Sequence, residues 1–151
     1  MTTGGTTGKP LKVWMDDDYK MYSLACTYFY LKLFNVNPYK DNSVRIHGDT
    51  LNNKKILNKK FWEYERSNKK KLIMSSYHIS SNNIYLYLKK IAEHKPKYFH
   101  CYPSVIYLMA KIINDLKIKI SFKLDLIFTD SEMLYENQKL LISKIFECPV
   151  Y

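Results

Sequence analysis

The residues best suited to chemistry stand at the start of the chain, where Thr3, Gly4, Gly5, Thr6, Thr7, Gly8 and Lys9 run into Pro10. A polyphosphate needs several donors converging on it. Glycines let backbone N–H groups approach, hydroxyls add further donors and one mobile ammonium completes the cradle. The spacing is not that of a Walker loop, which sets four residues between its glycines and follows Lys with Ser or Thr before a helix. Here Pro10 follows Lys9, opposing a helix start and favouring an extended exit. The bland reading of the same residues is a disordered Gly/Thr leader.

A phosphate loop acts only when a scaffold holds it, and the rest of the chain reads as alternating strands and helices. Leu11 to Met15 is an apolar run expected as a strand after the loop. Asp16, Asp17 and Asp18 supply an N-cap and a negative first turn for a helix from about Asp17 to Phe34. Ser43 to His47 alternates as a short strand closed by Gly48-Asp49, and Asn52 to Lys71 reads as a long, partly ordered polar loop. Beyond it the pattern becomes regular. Leu72 to Ser75 is a strand, Ser80 or Ser81 caps a helix to about His94, and Tyr98 to Cys101 is a strand. A second cycle follows, with Pro103 at a helix start, Val105 to Leu116 amphipathic, Leu124 to Phe128 a strand and Leu134 to Phe146 a helix; Pro149-Val150-Tyr151 begins one more strand.

Such alternation predicts an α/β fold, a mostly parallel sheet with right-handed crossovers and helices on both faces. Ligands gather at the carboxyl ends of strands in such sheets, which directs attention to Tyr77-His78, Cys101-Tyr102-Pro103 and Thr129-Asp130-Ser131-Glu132. Each has a structural reading beside the functional one. Tyr102-Pro103 is also an ordinary helix entry, His78 also a turn decoration, and Glu132 also a first-turn carboxylate favoured by a helix dipole.

The 151 residues, 46% of them hydrophobic, suit one ordinary domain. The formal charge of +10 raises the question of nucleic acid, but the lysines are scattered apart from short clusters such as Lys69-Lys70-Lys71, so nucleic acid is not the expected partner. Cys26, Cys101 and Cys148 are widely spaced and odd in number, which predicts neither a disulfide framework nor a metal knuckle, and no metal ligands are assigned. The polar start lacks the features of a secretory signal, and no run approaches the roughly 20 apolar residues that span a bilayer. A cytoplasmic protein with no membrane partner is expected.

The spelling Thr3-Gly4-Gly5-Thr6-Thr7-Gly8-Lys9-Pro10 resembles the signature loop of the adenylate-forming superfamily at every position. The later segments resemble its phenylacetate-CoA ligase-like branch, which includes capsule-biosynthesis members. His100-Cys101-Tyr102-Pro103-Ser104 is similar to that branch's His-Gly-Tyr-Pro-Ser turn, Phe128 to Glu132 to its strand-end Ser/Ala-Glu segment, and Ser75-Ser76-Tyr77-His78 to its aromatic-His segment. The resemblance implies a partial AMP-binding domain over residues 1–151, with phosphate loop 3–10 and a polar loop near 52–71. It implies an ATP-dependent ligase that activates a carboxylic acid to an acyl-adenylate, with Mg2+ as cofactor and coenzyme A as co-substrate. Thr3, Gly4, Gly5, Thr6, Thr7, Gly8 and Lys9 would meet the phosphates, Ser131 and Glu132 would border the adenine, and His78, Tyr102 and Pro103 would line the acyl pocket. Cys101 stands where the branch has glycine, which predicts a narrowed pocket or an altered backbone angle.

The family's magnesium carboxylate, ribose aspartate and catalytic lysine belong to segments this sequence does not contain, so the chain alone is expected to be inactive. A sheet edge lacking neighbours would expose apolar surface suited to a complementing chain that carries the remainder. Two other classes compete. One is a small basic nucleic-acid-binding protein, using Phe61, Trp62 and Tyr64 among lysines, and the other is a non-catalytic remnant that only folds or binds a partner.

Overall fold

The computed structural model describes residues 12–48 and 56–151. The phosphate loop at residues 3–10 lies outside the described residues. The chain divides into two compact units, residues 1–35 and residues 36–151.

In the first unit, helix α1 (Asp17–Leu33) forms where the aspartates predict it. The Asp16 side chain accepts the Tyr19 N–H at 2.8 Å, and Asp17 and Asp18 place negative charge in the first turn. Residues 13–16 do not form the expected strand, and Trp14 is 95% exposed. An apolar run becomes a strand only by joining a sheet, so composition alone misleads there.

The second unit is built on a five-stranded sheet of β1 (Ser43–His47), β2 (Trp62–Tyr64), β3 (Lys71–Ser75), β4 (Tyr98–Cys101) and β5 (Leu126–Thr129). The spatial order is β2-β3-β1-β4-β5, and every neighbouring pair is parallel except β2 with β3. The register aligns Val44 with Leu72 and Phe99, Ile46 with Met74 and Cys101, and Phe99 with Ile127. Alternation along a strand therefore sends these side chains to one face, where all are buried.

Helices α2 (Ile84–His94), α3 (Pro103–Asp115) and α4 (Glu136–Phe146) contribute to the same core. They do so through Ile84, Tyr87, Ile91, Ile106, Met109, Ile113, Ile142 and Phe146. The crossovers β3-α2-β4 and β4-α3-β5 advance in one direction across the sheet, and right-handed connections then place their helices on one side. Val150 continues the advance with a parallel bridge to Ile127, as Pro149-Val150-Tyr151 suggests.

The strand expected at Leu124 to Phe128 runs Leu126–Thr129 and the helix expected from Leu134 begins at Glu136, and two further differences are larger. The polar stretch 52–71 contains β2, because Phe61 is buried and Trp62 and Tyr64 pair with Met74 and Leu72. The aromatics that suggested base stacking are thus occupied in packing. Helix α2 begins at Ile84 rather than near Ser81, since the Asn83 and Ile84 N–H groups first close a turn on the Ser80 carbonyl.

His94, the last residue of α2, ties three segments together. Its Nε2–H donates to the carbonyls of Ser43 and Lys70, each at 3.0 Å, while its own carbonyl accepts from Asn42 Nδ2 at 2.8 Å. Burial holds its pKa below the ordinary value, so the folded state favours the neutral ring. This contribution is complete above the unfolded pKa of about 6.5 and is lost as pH falls through the lowered folded value. His94→Ala should cost about 1–3 kcal/mol by leaving buried carbonyls unsatisfied. Urea midpoints between pH 7.5 and 5 should fall more steeply for the wild type than for His94→Gln.

Candidate functional site

The carboxyl ends of β1, β4 and β5 meet on the sheet face opposite the α2-α3-α4 core. His47 ends β1, His100 is the third residue of β4, and Asp130 directly follows β5. His100 aligns with Phe128, so the residues two places on, Tyr102 and Asp130, emerge on the same side as His100. His100 Nε2–H donates to Asp130 Oδ2 at 2.8 Å, and His47 Nε2 lies 3.7 Å from Asp130 Oδ1. The two imidazoles meet edge to face with centroids 4.8 Å apart, and the His47 ring stacks on Tyr102 at 4.3 Å and 11°. The group is half-buried, with side-chain exposures of 15% for His47, 25% for His100 and 37% for Asp130, and the His47 Nε2 atom itself is shielded from solvent.

The turn after β5 handles two carboxylates at once. Ser131 adopts a left-handed φ of 64°, uncommon for a residue with a side chain, and separates Asp130 from Glu132. Asp130 turns to the histidines. Glu132 turns to the start of α3, where Oε2 accepts the Ser104 N–H and Oε1 the Ser104 hydroxyl, both at 2.9 Å. Tyr102 is the N-cap residue of that helix without a capping side chain of its own, and Pro103 sits in its first turn. Glu132 therefore caps α3 from a neighbouring loop and faces its positive end. The carboxylate lies at a helix start as the dipole reading anticipated, although the helix is α3 rather than the one that follows in sequence.

The other residues singled out in the sequence do not join this group. Thr3 to Lys9 lie outside the described residues. His78 closes a 3-10 turn (Ser76–His78), and its ring stacks on Phe61 at 5.0 Å, which in turn stacks on Tyr87 at 5.7 Å. His78 thus belongs to a different aromatic stack from His47 and Tyr102. Its neighbour Tyr77 reaches back toward β1, since a Cβ at Gly48 would stand 3.0 Å from the Tyr77 hydroxyl oxygen. That hydroxyl is the far end of an exposed side chain, so the contact alone does not require glycine after His47.

Cys101 does not narrow this site. Alternation points it away from His100 and Tyr102 into the core, where it is fully buried and its thiol pKa is raised by desolvation. Its backbone stays in ordinary strand geometry.

His47, His100 and Asp130 were missed as site residues by sequence reasoning. His100 and Asp130 sit inside motifs already singled out, but His47 lies in a separate strand and only the register joins the three. The signal available was a polar residue at each of three strand ends.

No protein-family model matches the chain. Protein CapK of Staphylococcus aureus is 31% identical over 153 residues, covering 99% of this chain and 33% of that protein. A solved structure of 2-hydroxyisobutyryl-CoA ligase in the postadenylation state, in complex with R3-HIB-AMP, superposes with a TM-score of 0.60 at 13% identity. That match covers 99% of this chain and 31% of that one. An open conformation of 2-hydroxyisobutyryl-CoA ligase with 2-HIB-AMP and CoA gives 0.58 at 12% identity, covering 99% and 34%. In fold, the chain matches one third of an acyl-CoA ligase. It spans about a third of the length of CapK as well. The ligase fold agrees with the α/β class and mostly parallel sheet read from the sequence. Among the described residues, no helix is long and apolar enough to cross a membrane.

Removing the external cap tests the structural duty of Glu132. Glu132→Ala should lower stability by about 1 kcal/mol, the usual effect of losing a helix cap, as read from the urea midpoint. An unchanged midpoint would leave the carboxylate free of that duty.

Proposed function

We propose that the chain is the phosphate-binding part of an AMP-forming ligase that activates a carboxylic acid with ATP to an acyl-adenylate and passes the acyl group to coenzyme A. The observation that carries this reading is the Thr3 to Pro10 signature in a chain whose fold is that of one third of an acyl-CoA ligase. The relation to CapK supports a link to capsule synthesis.

In this reading the backbone of Gly4, Gly5 and Gly8, the hydroxyls of Thr3, Thr6 and Thr7 and the Lys9 ammonium hold the β- and γ-phosphates. Their contribution is preorganised positive potential facing the departing pyrophosphate. The acid would lie at the strand ends, against Tyr102 and Pro103, with His78 at the rim. Ser131 and Glu132 would border the adenine, and the cap on Ser104 holds the Glu132 carboxylate while its loop offers backbone groups to a base.

Magnesium is expected for the reaction, but the strand-end donors do not fit it. Two imidazoles and one carboxylate are a poor match for an ion that favours oxygen ligands. The closing groups of the reaction are expected from the remaining two thirds of the length seen in relatives, so turnover is expected only when they are supplied, for example by a complementing chain.

ATP affinity is therefore the first measurement on this chain. Lys9→Ala should weaken ATP binding about tenfold, roughly the effect of one charge-assisted phosphate contact. Acid-dependent ATP–pyrophosphate exchange should appear when the remaining segments are supplied and vanish with Lys9→Ala. ATP binding indifferent to Lys9, or exchange that persists without it, would overturn the reading.

A further inference from the structure

We propose that His47, His100 and Asp130 form a binding site for a divalent transition metal, with zinc the best match, open to solvent at one coordination position. Three donors from three different strand ends converge there, with Nε2 and carboxylate atoms all within 4.8 Å of one another. Zinc holds nitrogen and oxygen ligands at about 2.0–2.2 Å in tetrahedral geometry, which sets neighbouring donors roughly 3.3 Å apart. The two pairs through Asp130, at 2.8 Å and 3.7 Å, bracket that value, and the two imidazole donors lie within 4.8 Å of one another, so a swing of the two rings toward each other would close three ligands on one ion.

The donor chemistry selects the metal class. Two neutral imidazoles and one carboxylate suit zinc or a neighbouring first-row ion, and three protein ligands leave a fourth position for water or a substrate oxygen, as in catalytic rather than structural zinc sites. The surroundings orient the ligands. The His47 ring is clamped flat against Tyr102, the His100 ring packs against Phe128 at 5.2 Å, and the Ser131 hydroxyl donates to Asp130 Oδ1 at 3.3 Å. Such supporting contacts fix ring orientation and carboxylate position around a bound ion. The cysteines are not involved. Cys101 faces the opposite side of the sheet, and burial pushes the Cys148 thiol up to about 12, which disfavours the thiolate a metal needs.

Placement beside Tyr102 deepens the proposed function, and in this respect the inference rests on it. The open position would take an oxygen donor of the acid substrate, favouring acids that carry a second oxygen group near the carboxyl.

The test uses the whole 151-residue chain, stripped with a chelator, titrated with zinc chloride by calorimetry and assayed for retained metal after dialysis by mass spectrometry. About one equivalent should bind, and His100→Ala and Asp130→Ala should each weaken binding by about 100-fold or more, beyond the 10–100-fold typical of losing a supporting contact. Cobalt substitution should give the strong visible bands of a low-coordinate nitrogen/oxygen site. His47→Gln is a milder variant should either alanine substitution fail to fold by circular dichroism, and it should also abolish the rise in urea midpoint that zinc gives the wild type. Failure of the wild type to retain metal, equal affinity in the variants, or a thiolate charge-transfer band would overturn the site. With the remaining segments supplied, pyrophosphate exchange intact in a chain that binds no metal would overturn only the metal, whereas metal binding without exchange under the same conditions would overturn only the ligase reading.

Discussion

The register between parallel strands β1, β4 and β5 is the constraint on which the rest of the second unit depends. Side chains alternate along a strand, so one alignment decides both what is buried and what is displayed. Val44, Ile46, Phe99, Cys101 and Ile127 fall on the face that packs the helices, and that choice sends His47, His100, Tyr102 and Asp130 to the other face at a common end. A slip of one residue in β4 would turn His100 into the helix-covered core and Phe99 out of it. The buried apolar set thus enforces the polar constellation without touching it. His94 reinforces the alignment from the amino ends of the strands, bonding the carbonyls where β1 begins and β3 is entered.

A second consequence concerns the turn after β5. Asp130 and Glu132 would repel if they faced one another, and the left-handed Ser131 between them sends one to imidazoles and the other to a helix start. The backbone strain of that conformation, of the order of 1 kcal/mol, is offset by charge-assisted hydrogen bonds on both sides. The turn thus has a mechanical role, because it joins β5 to the start of α3 while holding a carboxylate among the strand ends.

Much of this architecture was legible in the sequence. β1 and β4 begin and end at the expected residues, β1 as a short alternating run closed by Gly48 and β4 as a short run between Pro96 and Pro103, and α1 begins where three aspartates cap it. β2 was illegible because its three residues lie among lysines and asparagines, and only pairing with β3 makes them a strand. The late start of α2 depends on Asn83 closing a turn on Ser80, which serine content near the expected cap concealed. The histidine pair escaped for a related reason. His47 and His100 are far apart in the chain, and periodicity carries no information about which strand ends become neighbours.

Cys101 shows how a departure from a family pattern changes meaning once its side is known. A side chain in place of glycine before Tyr-Pro suggests obstruction of the acyl pocket, yet strand alternation carries it into the helix-covered core beside Ile46 and Thr129. Such a position tolerates a small buried group as long as the helices can accommodate its volume, and cysteine is among the residue types most often buried. Cys101 therefore bears on core packing rather than on the strand-end surface. The walls of that surface are set instead by the stacked pair of Tyr102 and His47, whose ring centroids lie 4.3 Å apart.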